Sequence, residues 1–301
     1  FPPTPTVNAR LELKRYTDSE HVNYQTEEYA PLSFDRPEPI NHVPEGVEAT
    51  DPITGRAACH VAPAEWRFLA WLEREGFAYD LYAETQFHFG ELDLDAYKVL
   101  IITTHPEYWS AAMYRRLKEW VDQRGGRLLY LGGNGLNCEV ELPDRQTMRV
   151  KNGDDRRRRA GGFESRFNLY NESEANLLGV VFTDAGIMTA APYEVIDADH
   201  WIFSGTGVKP GDVFGRDSLH ERIPGGASGH ETDKVSPASP EGVHVIARGL
   251  NPDGGGADMS CYETASGGAV FSAGSITYPA SILVDAVVSR LTANVIGRFL
   301  L

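Results

Sequence analysis

Basic residues are scarce in this sequence: 28 Lys and Arg against 43 Asp and Glu give a formal net charge of −15 over 301 residues. A phosphate backbone selects clustered cations and is repelled by such a field, so no nucleic-acid partner is expected. The one basic run, Arg156–Arg159, lies in a polar stretch from Lys151 to Gly162 and reads as a solvated loop. Long apolar runs are missing too. Nothing approaches the roughly 18 residues needed to cross a bilayer, and Phe1-Pro-Pro-Thr-Pro lacks the basic and apolar parts of a secretion signal, so no membrane partner is expected. Cysteine is limited to Cys59, Cys138 and Cys261, which have no metal-type spacing and leave one thiol over in any pairing scheme. A reducing, cytoplasmic location fits that usage.

What is present divides in two. Residues 1–62, rich in Pro, Asp, Glu and His without sustained periodicity, read as an extended N-terminal arm. Residues 63–301 read as one α/β domain with a loop insertion near 143–162. Trp66, Leu69 and Leu72, flanked by Phe68 and Trp71, follow helical spacing up to Gly76. Phe77-Ala-Tyr-Asp-Leu-Tyr alternates like a short strand, and Tyr97-Lys-Val-Leu-Ile-Ile-Thr-Thr reads as a strand buried on both faces. Ser110 is placed to cap a helix with Met113, Leu117, Trp120 and Val121 on one face, ended by Gly125-Gly126. Arg127-Leu-Leu-Tyr-Leu completes a βαβ unit and predicts a doubly wound, mostly parallel sheet. Short apolar runs at 179–182, 193–196, 243–247 and 268–272 read as β-rich insertions, and Ile282 to Leu301 as a closing helix.

Ligands of open α/β sheets bind beyond the carboxyl ends of the strands, which directs attention to three loops. Thr103-Thr-His-Pro-Glu-Tyr-Trp-Ser offers an imidazole, a carboxylate and a phenol within four positions: His105, Glu107 and Tyr108. Gly132-Gly-Asn-Gly resembles the sharp turn that presents a nucleophile in hydrolases, but Asn134 occupies the elbow; a carboxamide orients a substrate or an oxyanion and does not attack. Cys138 has no local group to activate it and reads as structural. The third loop, Leu219 to Lys234, gathers His220, Glu221, His230, Glu231 and Asp233 with little apolar content, in a spacing that matches no zinc template. Each loop also has a plain reading as capping, tight strand exit or polar surface.

Pro31-Leu-Ser-Phe-Asp-Arg-Pro, Trp71-Leu-Glu-Arg-Glu-Gly, Thr104-His-Pro-Glu-Tyr-Trp-Ser, Leu131-Gly-Gly-Asn-Gly, Gly225-Gly-Ala-Ser-Gly-His-Glu-Thr-Asp-Lys and Gly268-Ala-Val-Phe-Ser-Ala-Gly-Ser together resemble the C-terminal domain of the N,N-dimethylformamidase large subunit. The resemblance implies a fold like that of class I glutamine amidotransferases and a mononuclear iron held by two tyrosine phenolates and a glutamate. It matches Tyr108 to a motif tyrosine and leaves Glu231 as the carboxylate ligand, with the second tyrosine unplaced. It also implies an additional domain and a small partner subunit. Where many relatives carry aromatic residues after the Gly-Gly-Asn-Gly turn, this chain reads Leu136-Asn-Cys-Glu-Val.

The expectation is a metal-dependent amidohydrolase acting on a small amide-like substrate. Iron is bound by Tyr108 and Glu231, His105, Glu107 and His230 manage protons, and Asn134 holds the carbonyl oxygen. The alternative is a non-catalytic ligand-binding or assembly domain, and either form can be homo-oligomeric or joined to an additional subunit or domain. A carbohydrate-handling reading draws on fold analogy with trehalose-utilisation proteins and on the aromatic residues Trp109 and Trp201 near the loops.

Overall fold

The computed structural model describes residues 32–34, 61–151, 167 and 172–301. Most of the expected N-terminal arm, and the core of the 143–162 insertion, lie outside these residues. In chain order the strands are β1 (Leu32–Ser33), β2 (Val99–Thr104), β3 (Tyr108–Trp109), β4 (Arg127–Gly132), β5 (Cys138–Glu141), β6 (Thr147–Lys151), β7 (Val181–Thr183), β8 (Ala190–Ala191), β9 (Tyr193–Val195), β10 (Val213–Phe214), β11 (Ser228–Gly229), β12 (Thr232–Lys234), β13 (His244–Gly249), β14 (Asp258–Glu263) and β15 (Ala269–Ser272). The helices are α1 (Ala62–Glu75), α2 (Glu84–His88), α3 (Ala111–Arg124), α4 (Ala175–Leu178) and α5 (Ala286–Phe299).

The main sheet has seven strands in the order β10-β9-β13-β14-β15-β4-β2. The βαβ unit is present, β2 and β4 running parallel with Val99 opposite Arg127 and Thr104 opposite Gly132. The expected mostly parallel, doubly wound, amidotransferase-like sheet is not. Only β15–β4 and β4–β2 are parallel; β10–β9, β9–β13, β13–β14 and β14–β15 are antiparallel. Loop length is the reason. Residues 264–268 join β14 to β15 and residues 250–257 join β13 to β14, too few in each case for the dozen or so that a parallel crossover requires. Smaller sheets flank this one: β1-β6-β5-β3, β11-β8 and β12-β7.

Strand periodicity sorts the core onto two faces. In β4, Leu129 and Leu131 join Trp71, Leu72, Phe271, Leu291 and Phe299 in the cluster beneath α1 and α5, while Leu128 and Tyr130 face α3 with Leu117, Trp120 and Val270. Ser110 caps α3 as expected, its hydroxyl accepting from Met113 N–H at 3.2 Å, and Gly125 closes the helix with φ 74°. Three local expectations fail. Trp66 is 46% exposed, because the buried stripe of α1 runs through Phe68, Trp71 and Leu72. Phe77 to Tyr82 forms no strand, since Asp80 and Tyr82 instead hydrogen-bond Tyr97 through side chains. Strand β2 is an edge strand, only half-buried except at Thr104.

Candidate functional site

Thr104 and Gly132 end adjacent parallel strands in register, so the loops carrying His105 and Asn134 leave the sheet side by side. Gly133 N–H donates to Thr104 O at 3.1 Å, Leu136 N–H to Pro106 O and Cys138 N–H to Glu107 O, both at 2.8 Å. The third loop arrives as β12, antiparallel to β7, and docks over the exit of β15: Asp233 N–H donates to Gly274 O at 2.8 Å, and Thr232 bridges Ser275. A Cβ on Gly133 would lie 2.5 Å from the Glu231 carbonyl oxygen, so only glycine lets the Asn134 turn meet this strand.

The three loops bring His105, Glu107, Asn134 and Glu231 together. His105 Nε2 lies 3.0 Å from Glu231 Oε2 and 3.3 Å from Glu107 Oε2. Asn134 Nδ2 donates to the same Glu231 oxygen at 2.7 Å and stands 3.2 Å from His105 Nε2, while Asn134 Oδ1 accepts from Asn137 Nδ2. Behind them, Asp233 Oδ1 accepts the Asn134 backbone N–H at 2.8 Å and Oδ2 accepts the Tyr130 hydroxyl at 2.7 Å. His105 is 5% exposed and Asn134 4%, whereas the Glu231 side chain keeps 22%, which makes Glu231 the member open to solvent.

Thr104, Asn134, Leu136 and His230 all have left-handed backbones, with φ of 64°, 52°, 55° and 69°. Non-glycine residues in that region carry of order 1 kcal/mol or more of strain each, and their concentration in three facing loops is typical of a functional site.

Burial works against a proton on His105, but the Glu231 and Glu107 carboxylates outweigh it and hold its pKa up at about 9. Burial likewise pushes the Glu231 carboxyl up, and the facing imidazolium with the Asn134 N–H reverses this, leaving Glu231 below its ordinary value. At neutral pH the pair is therefore imidazolium and carboxylate. Burial raises Asp233 to about 7, opposed by the Tyr130 and Asn134 hydrogen bonds. His230 and His220, with rings 5.7 Å apart, are both depressed to about 4 by burial and are neutral at pH 7.

The remaining sequence candidates fall elsewhere. Tyr108 is built into the apolar cluster that also holds Phe87, Trp109, Met113 and Cys138. Glu221 faces solvent. Trp109 packs edge-on to Phe87 and Trp201 lies under the Arg298 guanidinium, so both aromatics serve packing. Tyr130 and Asn137 escaped the sequence reading: the first occupies a regular strand position, and the second follows the glycine turn with nothing but its polarity to mark it.

Among the described residues no group of three or more His, Cys, Asp or Glu side chains is placed to hold a metal ion, and Glu231 Oε2 accepts from Asn134 Nδ2 and lies 3.0 Å from His105 Nε2.

Comparison with known proteins supplies the family. The N,N-dimethylformamidase beta subunits of Paracoccus aminophilus and an Alcaligenes species are 26% and 27% identical over 289 residues, covering 79% of this chain. The chain spans 37% of the length of those relatives. A β-galactosidase structure from Rahnella sp. R3 superimposes with a TM-score of 0.42 at 13% identity, over 79% of this chain and 27% of that one. The model of the family described as "N,N-dimethylformamidase beta subunit-like, C-terminal" matches residues 11–288, nearly the whole chain, and the chain belongs to that family.

Proposed function

We propose that this site hydrolyses an amide or related C–N bond, a reading carried by the placement of His105 Nε2 between the carboxylates of Glu231 and Glu107 at 3.0 and 3.3 Å. Amide hydrolysis needs a base to take a proton from water and an acid to protonate the departing nitrogen, whose anion is too basic to leave unaided. Glu231, ionised and solvent-facing, is the base. His105, protonated to about pH 9, is the acid, and Glu107 holds its charge in place. Asn134 presents its carboxamide beside both and orients the substrate carbonyl. His230, neutral at pH 7 and next to Glu231 in the chain, passes protons onward. Hydrolysis of the relatives' eponymous compound, N,N-dimethylformamide, is measured as dimethylamine release. His105→Gln and Glu231→Gln each lower kcat by about 100-fold or more with the fold retained. A parent chain that binds the amide without releasing amine would make this a ligand-binding domain instead.

A metal-assisted form of the same reaction places iron on Tyr108 and Glu231. Iron per chain in the parent, in Tyr108→Phe and in Glu231→Gln tests it: loss in both variants supports the assignment, and an iron content unmoved by either removes it. The relatives are named as a subunit. An assembly is proposed for this protein as well, and light scattering of the purified chain, alone and after mixing with a co-expressed partner, reads it directly.

A further inference from the structure

We propose that Tyr130 and Asp233 form a positioning pair that sets the Asn134 carboxamide, and through it Glu231, for catalysis. The inference rests on the hydrolase reading in its functional part and on geometry alone in its structural part. Asn134 is held with φ 52°, a conformation that an L side chain rarely adopts unaided. Its backbone N–H has one acceptor, Asp233 Oδ1 at 2.8 Å, and that carboxyl is fixed in turn by the Tyr130 hydroxyl on Oδ2 at 2.7 Å.

Both anchors are held by burial and strand pairing unconnected with the site. Tyr130 is fully buried inside β4, and Asp233 is fully buried in β12, its N–H on Gly274 and its position opposite Phe182 in the β7 ladder. The turn also closes down on the phenol: a Cβ on Gly135 would lie 2.6 Å from the Tyr130 hydroxyl oxygen. The glycine turn is therefore seated on Tyr130 as well as bonded to Asp233. Neither side chain reaches the front of the cluster, where His105 Nε2, Glu231 Oε2 and Asn134 Nδ2 converge. They act on the array through the Asn134 backbone. A misplacement of this kind lowers the rate of the chemical step while leaving the contacts that bind substrate in the ground state.

The test compares Tyr130→Phe and Asp233→Asn with the parent 301-residue chain. Tyr130→Phe conserves the ring and its packing, so it is the variant that keeps the fold should Asp233→Asn fail to express. Two quantities are read. With N,N-dimethylformamide as the probe, kcat falls about tenfold in Tyr130→Phe and further in Asp233→Asn, with KM within about twofold. By NMR, the Asn134 backbone amide exchanges with solvent at least tenfold faster in both variants, while amides of β4 and β15 keep their protection. Parental kcat together with parental Asn134 exchange overturns the proposal, as does a uniform loss of protection across the sheet, which marks a purely structural role. If the parent itself does not turn over the amide, the hydrolase reading fails, and Asn134 exchange still decides whether the pair positions the turn.

Discussion

Glu231 and Glu107 meet one imidazole nitrogen, and each carboxylate has its own measurable share in what His105 does. Replacing Glu107 by Gln removes one of the two charges that hold the His105 pKa at about 9, so the His105 titration followed by NMR moves down toward the ordinary histidine value. A value left at about 9 would assign the whole effect to Glu231. At this scale the sequence was informative in an uneven way. His105, Glu107 and Asn134 were legible because a His-Pro-Glu run directly after the β-branched strand β2 and a glycine turn directly after the apolar strand β4 have no packing purpose. Glu231 was legible only as one of several polar residues in a glycine-rich loop. Tyr130 was hidden, since an aromatic residue within a strand looks like core, and its hydroxyl partner is 103 positions away.

Elements were readable wherever the pattern was local. The cap at Ser110, the left-handed glycines that end α1 and α3, and the strands at 99–104 and 127–132 all follow from short stretches of chain. Strand direction is not local, which is why a correct βαβ unit suggested the wrong sheet. Phe77 to Tyr82 has the alternation of a strand and no ladder partner, so its pattern had nothing to specify.

Two substitutions belong to this level. Asp285 caps α5 by accepting from Val287 N–H and Val288 N–H, each at 3.0 Å, and Asp285→Ala costs about 1 kcal/mol in chemical unfolding. Gly133→Ala forces a methyl group to within 2.5 Å of the Glu231 carbonyl and 2.9 Å of Ile276 N, both backbone atoms. The loss is about 2 kcal/mol or more, seen as a lower denaturant midpoint at unchanged slope. A midpoint equal to the parent's would mean that β12 does not sit against the turn.

Over the whole molecule, buried histidines contribute to both limbs of the stability curve, and Asp233, raised to about 7 by burial, works against the acid limb. His220 and His230 have folded pKa values of about 4, below the ordinary 6.5, so between those values the unfolded chain binds more protons and stability falls as pH falls. His105 is the opposite case. With a folded value of about 9 it contributes fully below 6.5, and its contribution is lost as pH rises toward 9. Each histidine contributes a slope of at most about 1.4 kcal/mol per pH unit. Denaturation midpoints measured from pH 4 to 9.5 pass through a maximum near neutrality, and His220→Gln flattens the acid limb alone. An unaltered acid limb in that variant would show that His220 is not held neutral by the fold.

No helix among the described residues is long and apolar enough to cross a membrane.

Because β12 seats Glu231 on a turn that begins at residue 132, and His105 comes from the strand beside it, the candidate site cannot assemble until the chain has been made past Lys234 and folded back on itself. In a refolding experiment the turnover expected of the proposed hydrolase therefore reports the docking of β12 on the glycine turn, which formation of the βαβ unit alone does not supply. A nascent or clipped chain ending before β12 carries the imidazole, the carboxamide and the Glu107 carboxylate but not the Glu231 carboxylate that the proposed hydrolysis requires.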